Sequence, residues 1–404
     1  MSIDAVTTLD PASGLLSEAT VHLPNEVGLW RTVGYLSNTA AAAGTGYSSA
    51  VGAFDLRRRA SMIRAAGEAV ERFALVRVEG DRDVLAVSTD EDRRIDFVSA
   101  GLGRASALAY DFPWYRARNL QTGAESQVPA PVVDYGPQQP GEPWDVFFDP
   151  SPNGAASGPT ATFAQAAALA EVLERDSFLT AWYKGSPLHQ IDTARLKGLP
   201  DCRGLTQLLE SAKTAGIDPC LAFVPEYGSP LHTAVCIICD GSGPGFGAVG
   251  LKTSADPLTA LLGALQEGLQ IRELFLARTP HASSATLQVT DDDSRAAYWS
   301  TPGAVQRLQD WVGSFAESGI PAGKPVPDAA ALVRHLASRG VGSHWVDLTH
   351  RLPVRIRELG WVSGKVVCPG ALQLTMDETK GLSIPDNRRA GWESSGHTTP
   401  HPLI

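Results

Sequence analysis

Residues 58–75 read RRASMIRAAGEAVERFAL and residues 164–179 read AQAAALAEVLERDSFL. The two stretches carry one pattern, Glu68-x-x-Glu71-Arg72 in the first and Glu171-x-x-Glu174-Arg175 in the second. Carboxylates three residues apart leave a helix on one face. A third stretch, ALLGALQEGLQIRELF at 260–275, offers Glu267-x-x-Gln270-x-Arg272. One copy alone means little, since a solvated helix face with i, i+4 ion pairs such as Glu68–Arg72 looks the same. Two copies on Ala-rich helices say more, because such helices pack closely and turn their paired glutamates toward a cleft. Facing pairs would gather four carboxylates, which repel one another and resist ionising together. Such a cluster persists most easily around a hard divalent cation, and Mg2+ with phosphate is the usual occupant.

Outward from these stretches the chain reads as mixed helix and strand. The first helix runs roughly 56–75, with Leu56, Ala60, Ile63, Val70 and Ala74 near one stripe and Ser61, Arg64, Glu68 and Glu71 on another. SPNGAASGPT (151–160) feeds a second helix at about 161–184, and LTQLLESAKTAG (205–216) is a third. Asp256-Pro257 places Asp at an N-cap and Pro at N1, which opens a helix over 257–277. AALVRHLASRG is a further helix. Strands are expected at DPCLAFV, HTAVCIICD, AVGLKT, HWVDLTH and GKVVCPGA. Residues 76–150 alternate short apolar runs with turn residues (LVRVEG, DVLAVST, DFVSAGL, PVVDYG, WDVFFD) and are expected to hold several more. Residues 1–30 read as an extended segment or strand pair around VHLPNEVGLW, 278–330 as a polar, partly helical candidate insertion, and the tail from about 378 as irregular. Strict βαβ alternation is lacking, so the expected class is α+β in a single domain over 1–404.

Composition narrows the function classes. The chain has 404 residues, 43% hydrophobic and 19% charged, with a net charge of −10, which disfavours broad binding to nucleic-acid phosphate. The run Arg57, Arg58, Arg59 reads as the solvated first turns of a helix. The N-terminus shows no basic and apolar signal-peptide regions, and no apolar run reaches 18 residues, so a cytoplasmic location is expected. Five cysteines are too few for a disulfide scaffold. Cys236-x-x-Cys239 lies in an apparent buried strand, where residues three apart face opposite sides, so packing explains it better than metal binding. The nine histidines show no HExxH or paired spacing. GSGPGFG (241–247) lacks the GK[ST] ending of a phosphate-binding loop, and no GxSxG, HRD or DFG motif is present.

Taken together, the segments resemble the YcaO superfamily. The family's first helix reads approximately SAxGEAIERY, against RAAGEAVERF at 64–73. Its second region reads SNGLAxGNTxxEA…LLEVIERDA, against SPNGAASGPTATFAQAAALAEVLERDS at 151–177. Its third reads pdpxxALxEAxQxR, against ADPLTALLGALQEGLQIR at 255–272. Cyclodehydratase members often end in a tail like PHPFP, against Pro400-His401-Pro402-Leu403-Ile404 here. The resemblance implies a YcaO-type fold with helices enclosing an ATP/Mg2+ cleft. It implies that Glu68, Glu71, Glu171 and Glu174 hold Mg2+ and that Arg72, Arg175, Glu267 and Gln270 line the nucleotide site. Arg272 ranks lower, since it lies roughly 200° round the helix from Gln270. The tail would bring the Ile404 carboxylate near the reaction, with His401 as a second candidate base.

The departures matter equally. Arg64 stands where the family has Ser, Pro159 where it has the Asn of GNT, Phe163 where it has Glu, and Gly52-Ala53-Phe54 where a GKG-like loop has its Lys. Arg64 is expected to meet a phosphate directly in place of a metal contact. The implied activity is ATP-dependent activation of backbone amides, closing Cys, Ser or Thr to azolines in a ribosomally made precursor peptide. Related outcomes are thioamide formation and amidine macrocyclisation. A rival of another class is a degenerate scaffold or peptide-binding subunit, favoured by Arg64, Pro159 and Phe163. The YcaO resemblance uses up the chain, so a separate E1-like or leader-recognition partner is expected, and a homodimer is the family-style expectation.

Overall fold

The computed structural model describes residues 3–38, 49–78, 81, 91–136, 142–196, 199, 201–225, 228–240, 245–278, 288–381, 383–389, 392 and 399–403. Three sheets carry the architecture. The first is an antiparallel run of β1 (Leu16–His22), β2 (Trp30–Leu36) and β3 (Ala50–Asp55), preceded by the short helix α1 (Ala5–Leu9). The second orders β5 (Glu125–Pro129), β4 (Trp114–Asn119), β12 (His344–Asp347), β13 (Val362–Val367) and β6 (Ala155–Gly158), all antiparallel. The third orders β10 (Phe246–Ser254), β9 (His232–Asp240), β8 (Cys220–Phe223), β7 (His189–Ile191) and β11 (Ala316–Ser318), antiparallel except for the parallel β7–β11 pair. The class is α+β, as expected.

The helices that carry the paired glutamates form where the pattern places them. Helix α2 (Arg58–Ala74) is amphipathic and lays Ala65, Ala66, Ala69, Val70 and Phe73 into a core with the first and second sheets. Helix α4 (Ala161–Lys184) starts at Thr160, whose hydroxyl accepts the Phe163 N–H (3.1 Å), and ends at Gly185 in the left-handed region. It is buried nearly all round. Its first half (Ala164, Ala168, Leu169, Val172) packs under β6, β13 and α9 (Ala329–Ser338), and its second half (Phe178, Leu179, Trp182) packs under the third sheet. Glu171 and Glu174 sit near that handover. Helix α6 (Pro257–Arg278) begins as expected, with the Asp256 carboxylate accepting the Thr259 N–H at 2.9 Å. It lies hard against β10: a Cβ on Gly250 would stand 2.1 Å from the Gly268 nitrogen and 2.4 Å from the Ala264 oxygen.

The remaining helices are α3 (Ala130–Val133), α5 (Arg203–Thr214), α7 (Asp292–Trp299), α8 (Pro302–Gly313), α10 (Val354–Glu358) and α11 (Asp386–Arg389). Residues expected as a polar insertion supply Trp299, Leu308 and Trp311 to the third-sheet core, and β11 completes that sheet.

Several strand expectations give way. DFVSAGL is a turn, because the Asp96 carboxylate accepts the N–H groups of Val98 (3.2 Å) and Ser99 (3.0 Å). PVVDYG opens as the single turn of α3, and WDVFFD contains the 3-10 turn Asp145–Phe147. DVLAVST lies outside the described residues. The strands in this region are instead WYRARN and ESQVP. VHLPNEVGLW is mostly the connection between β1 and β2, held by Asn25, whose side-chain oxygen accepts the N–H of Leu29 (2.9 Å). Cys236 is buried and Cys239 half-buried, and all five cysteines are free. Among the described residues no helix is long and apolar enough to cross a membrane.

Candidate nucleotide and metal site

Helices α2, α4 and α6 bring their polar faces to one cavity of about 380 Å³. Glu68, Glu71 and Arg72 enter from α2, Glu171 and Arg175 from α4, and Glu267 and Gln270 from α6. Arg64, the Gly52–Ala53 backbone, Tyr135, Pro152, Asp292 and the apolar Leu374, Met376 and Leu403 complete the lining. Eight of the residues singled out in the sequence thus line one cavity.

Three of the four glutamates that line the cavity tie their helices to a neighbouring backbone. Glu68 accepts the Gly52 N–H at 3.2 Å, Glu171 the Gly154 N–H at 3.2 Å and Glu267 the Leu251 N–H at 2.8 Å. The second oxygen of Glu267 lies 3.6 Å from Arg175 Nη2. Burial pushes the Glu68, Glu71, Glu171 and Glu267 carboxyls up, and the Glu171 charge adds to the rise at Glu71, which stands well above the ordinary range. The Arg72 guanidinium stacks over the Tyr135 ring at 5.3 Å.

Four expectations are revised. Glu174 is 6% exposed and does not line the cavity, because its carboxylate accepts the Thr253 N–H of β10. Arg272 points away, pairing with Glu26 at 2.9 Å and with Asp240 at 3.9 Å. His401 does not face the cavity as a base. Its Nε2 donates to the Thr375 carbonyl (2.7 Å), its Nδ1 lies 3.3 Å from both the Leu403 N–H and Arg295 Nη1, and burial holds the ring neutral. Ile404 lies outside the described residues. Arg64 lines the cavity but is partly engaged, donating to the Phe54 carbonyl (2.9 Å) and to Gln266 (3.1 Å), with Asp55 at 3.5 Å. Phe163 is 55% exposed at the start of α4, and Ser61 is buried against Thr32, so neither supplies the missing polar group.

The sequence offered no pattern for three further features. Arg295, fully buried on α7, donates to the Thr375, Met376 and His401 carbonyls and to Glu378, and so clamps the tail beside the cavity. Lys365, on β13, is a buried ammonium close behind Glu71 and Glu171. Asp149 anchors the 376–377 backbone. A lone Arg, Lys or Asp between apolar residues carries no spacing to read.

The donor set suits a cation that is shared with a nucleotide. Among the described residues no three His, Cys, Asp or Glu side chains converge tightly enough to cage one ion by themselves. A cation here would therefore share its coordination with phosphate oxygens, the habit of Mg2+ in nucleotide sites. Arg175 Nε is buried without a partner, a donor left for an anion. Crowded carboxylates with raised pKa values, beside guanidinium groups, match a cation bridged to phosphate.

A family model described as YcaO cyclodehydratase, ATP- and Mg2+-binding, matches residues 55–372. An uncharacterized protein from Methanothermobacter thermautotrophicus is 30% identical over 206 residues, covering 51% of this chain and 52% of that protein, so the chain matches about half the length of this curated relative. Among solved structures, YcaO from Methanopyrus kandleri bound with AMPPCP and Mg2+ aligns with a TM-score of 0.67 at 17% identity, covering 94% of this chain and 92% of that one. A heterocyclase in complex with substrate and cofactor aligns with a TM-score of 0.67 at 16% identity, covering 92% of this chain and 52% of that one. At these identities the two structures speak to the fold. The family match covers most of the chain, and the chain belongs to the YcaO family.

Proposed function

We propose that this chain uses ATP and Mg2+ to activate a peptide backbone amide, closing Cys, Ser or Thr to a thiazoline or oxazoline in a ribosomally made precursor peptide. The observation that carries the reading is the convergence of Glu68, Glu71, Glu171, Glu267, Gln270, Arg72 and Arg175 on one cavity from three helices. When bound, Mg2+ neutralises phosphate charge and ATP supplies the γ-phosphoryl group. The protein's own part is positioning. Glu68, Glu71 and Glu171 offer hard oxygen donors; Arg72 and Arg175 offer guanidinium groups to phosphate oxygens; Gln270 offers an amide. Leu374, Met376 and Leu403 keep bulk water from one wall, which strengthens these interactions.

The overall conversion balances simply. The side-chain sulfur or oxygen joins the carbonyl carbon of the preceding residue, and the amide oxygen departs on phosphate. A C=N bond remains, ATP becomes ADP and phosphate, and the peptide loses one water. Thioamide formation would instead replace oxygen by sulfur, and amidine closure would use an amine, so product mass and nucleophile separate the three. Leader recognition is assigned to a separate E1-like or leader-recognition protein, in keeping with a heterocyclase of similar fold that is about twice as long as its aligned part.

The test is calorimetric titration of Mg2+-ATP into the protein and into Glu68→Gln/Glu171→Gln. Micromolar binding lost in the variant is expected. Absence of binding in the unaltered protein, with and without partner and peptide, would move the assignment to a scaffold.

A further inference from the structure

We propose that a second cavity beside the carboxylate cavity seats the peptide, and that it selects a peptide bearing a carboxylate side chain next to the modified residue. This rests on the peptide-activating reading above. The second cavity holds about 250 Å³ and is lined by Arg104, Phe148, Asp149, Lys365 and Lys380, among others. Its wall is shared with the first. Ser151 lines the second cavity and Pro152 the first; Thr375 lines the second while Leu374 and Met376 line the first. The 151–152 and 374–376 segments thus form a wall common to the two cavities.

The charge of this cavity is opposite to that of the chain. Arg104, Lys365 and Lys380 face it against Asp149 alone, in a protein of net charge −10. All three cations give hydrogen bonds to backbone carbonyls. Arg104 donates to the Lys380 carbonyl and Lys380 to that of Phe148 (2.6 Å). Lys365, 3% exposed, donates to Ser151 (2.6 Å) and Val132 (2.8 Å). Among the described residues the one ion pair that any of them makes is Lys380 with Asp149, at 3.9 Å. Asp149 is partly engaged elsewhere, since its oxygens accept the Met376 (2.8 Å) and Asp377 (3.1 Å) N–H groups. Three cations against one carboxylate leave the lining of this cavity with a net positive charge, which attracts an anion.

Two sources of that anion fit the chemistry, a peptide carboxylate and free phosphate. The cavity favours the peptide, because Leu102, Phe147 and Phe148 give it an apolar side suited to a side-chain stem. The glutamates across the wall add orientation. Glu71 and Glu171 repel an acidic side chain, so it stays with the cations while the neutral acceptor amide points to the phosphate site.

Fluorescence anisotropy decides the matter without nucleotide. The probes are fluorescein-labelled heptapeptides with a central Gly-Cys-Gly flanked by Glu, or by Gln in the control. The Glu peptide is expected to bind about tenfold more tightly, and Arg104→Glu/Lys380→Glu should erase the preference while leaving Mg2+-ATP affinity intact. Equal binding of the two peptides by the unaltered protein would overturn the proposal, whether or not the variant folds. Persistence of the preference in the variant would also overturn it. Inorganic phosphate that binds the unaltered protein while neither peptide does would assign the cavity to phosphate instead. Loss of Mg2+-ATP binding in the unaltered protein would sink the function reading alone, because the peptide comparison is made separately.

Discussion

Glu71 shows how one side chain carries cost and use together. It is half-buried beside Glu171, and both desolvation and that neighbour raise its carboxyl. Without a cation the residue is a liability, ionised at the expense of repulsion or protonated at the expense of its affinity for metal. Glu71→Gln keeps the shape and removes the charge. The expected outcome is a gain of about 1 kcal/mol in the stability of the metal-free protein, with a loss of at least about tenfold in Mg2+-ATP affinity. Denaturant melts in EDTA and calorimetry with Mg2+-ATP measure the two effects. A variant less stable than the parent in EDTA would mean that Glu71 serves the fold and would count against its place in the cation site.

The same logic explains what could be read one residue at a time. Glutamates at i, i+3 announced themselves because helix geometry converts spacing into direction. Glu174 has the same spacing yet is drawn off by the Thr253 N–H, a partner 79 residues away that no local pattern reveals. Lys365 and Arg295 escaped notice because their meaning comes from burial.

At the scale of elements, the helices were legible and the strands of 76–150 were not. The boundaries of α4 coincide with the expected 161–184, since Thr160 is a strong local start signal and Gly185 a strong stop signal. In contrast, Phe97, Phe112, Trp114 and Phe148 form an aromatic cluster fed mainly by turns, so apolar runs there imitate strands. The true strands, WYRARN and ESQVP, carry charged residues on one face and look like loops. Contact between β10 and α6 sets where Glu267 and Gln270 stand, and Gly250 permits it. Gly250→Ala would force backbone apart at 2.1 Å and 2.4 Å. The expected cost is about 1–3 kcal/mol or more of stability, and weakened nucleotide binding because α6 must lift from the sheet. The conservative control is Gly303→Ala, where a Cβ meets nothing within 4 Å. Equal melting temperatures for the two variants would show that the strand–helix contact is looser than described.

In the whole molecule, the carboxylate cavity lies where separate cores meet. Helix α2 belongs to the core beneath the first two sheets, α6 to that of the third sheet, and α4 runs between the third-sheet core and the cluster under β6 and β13. The tail closes the arrangement from another side, held by Arg295 and by Trp299 Nε1, which donates to the His401 carbonyl at 3.1 Å. A ligand at this junction must therefore stiffen all the walls at once, since the glutamates that would face it also hold Gly52, Gly154 and Leu251. Hydrogen exchange read by mass spectrometry should show peptides covering 50–55, 152–158 and 246–254 gaining protection together on addition of Mg2+-ATP. For amides that exchange through global opening the gain should reach about a hundredfold when ligand stands at 100 times its dissociation constant. Glu68→Gln/Glu171→Gln should show none of it. Protection confined to one of the three segments would mean that the ligand grips a single wall, and the four-sided site inferred from α2, α4, α6 and the tail would have to be abandoned.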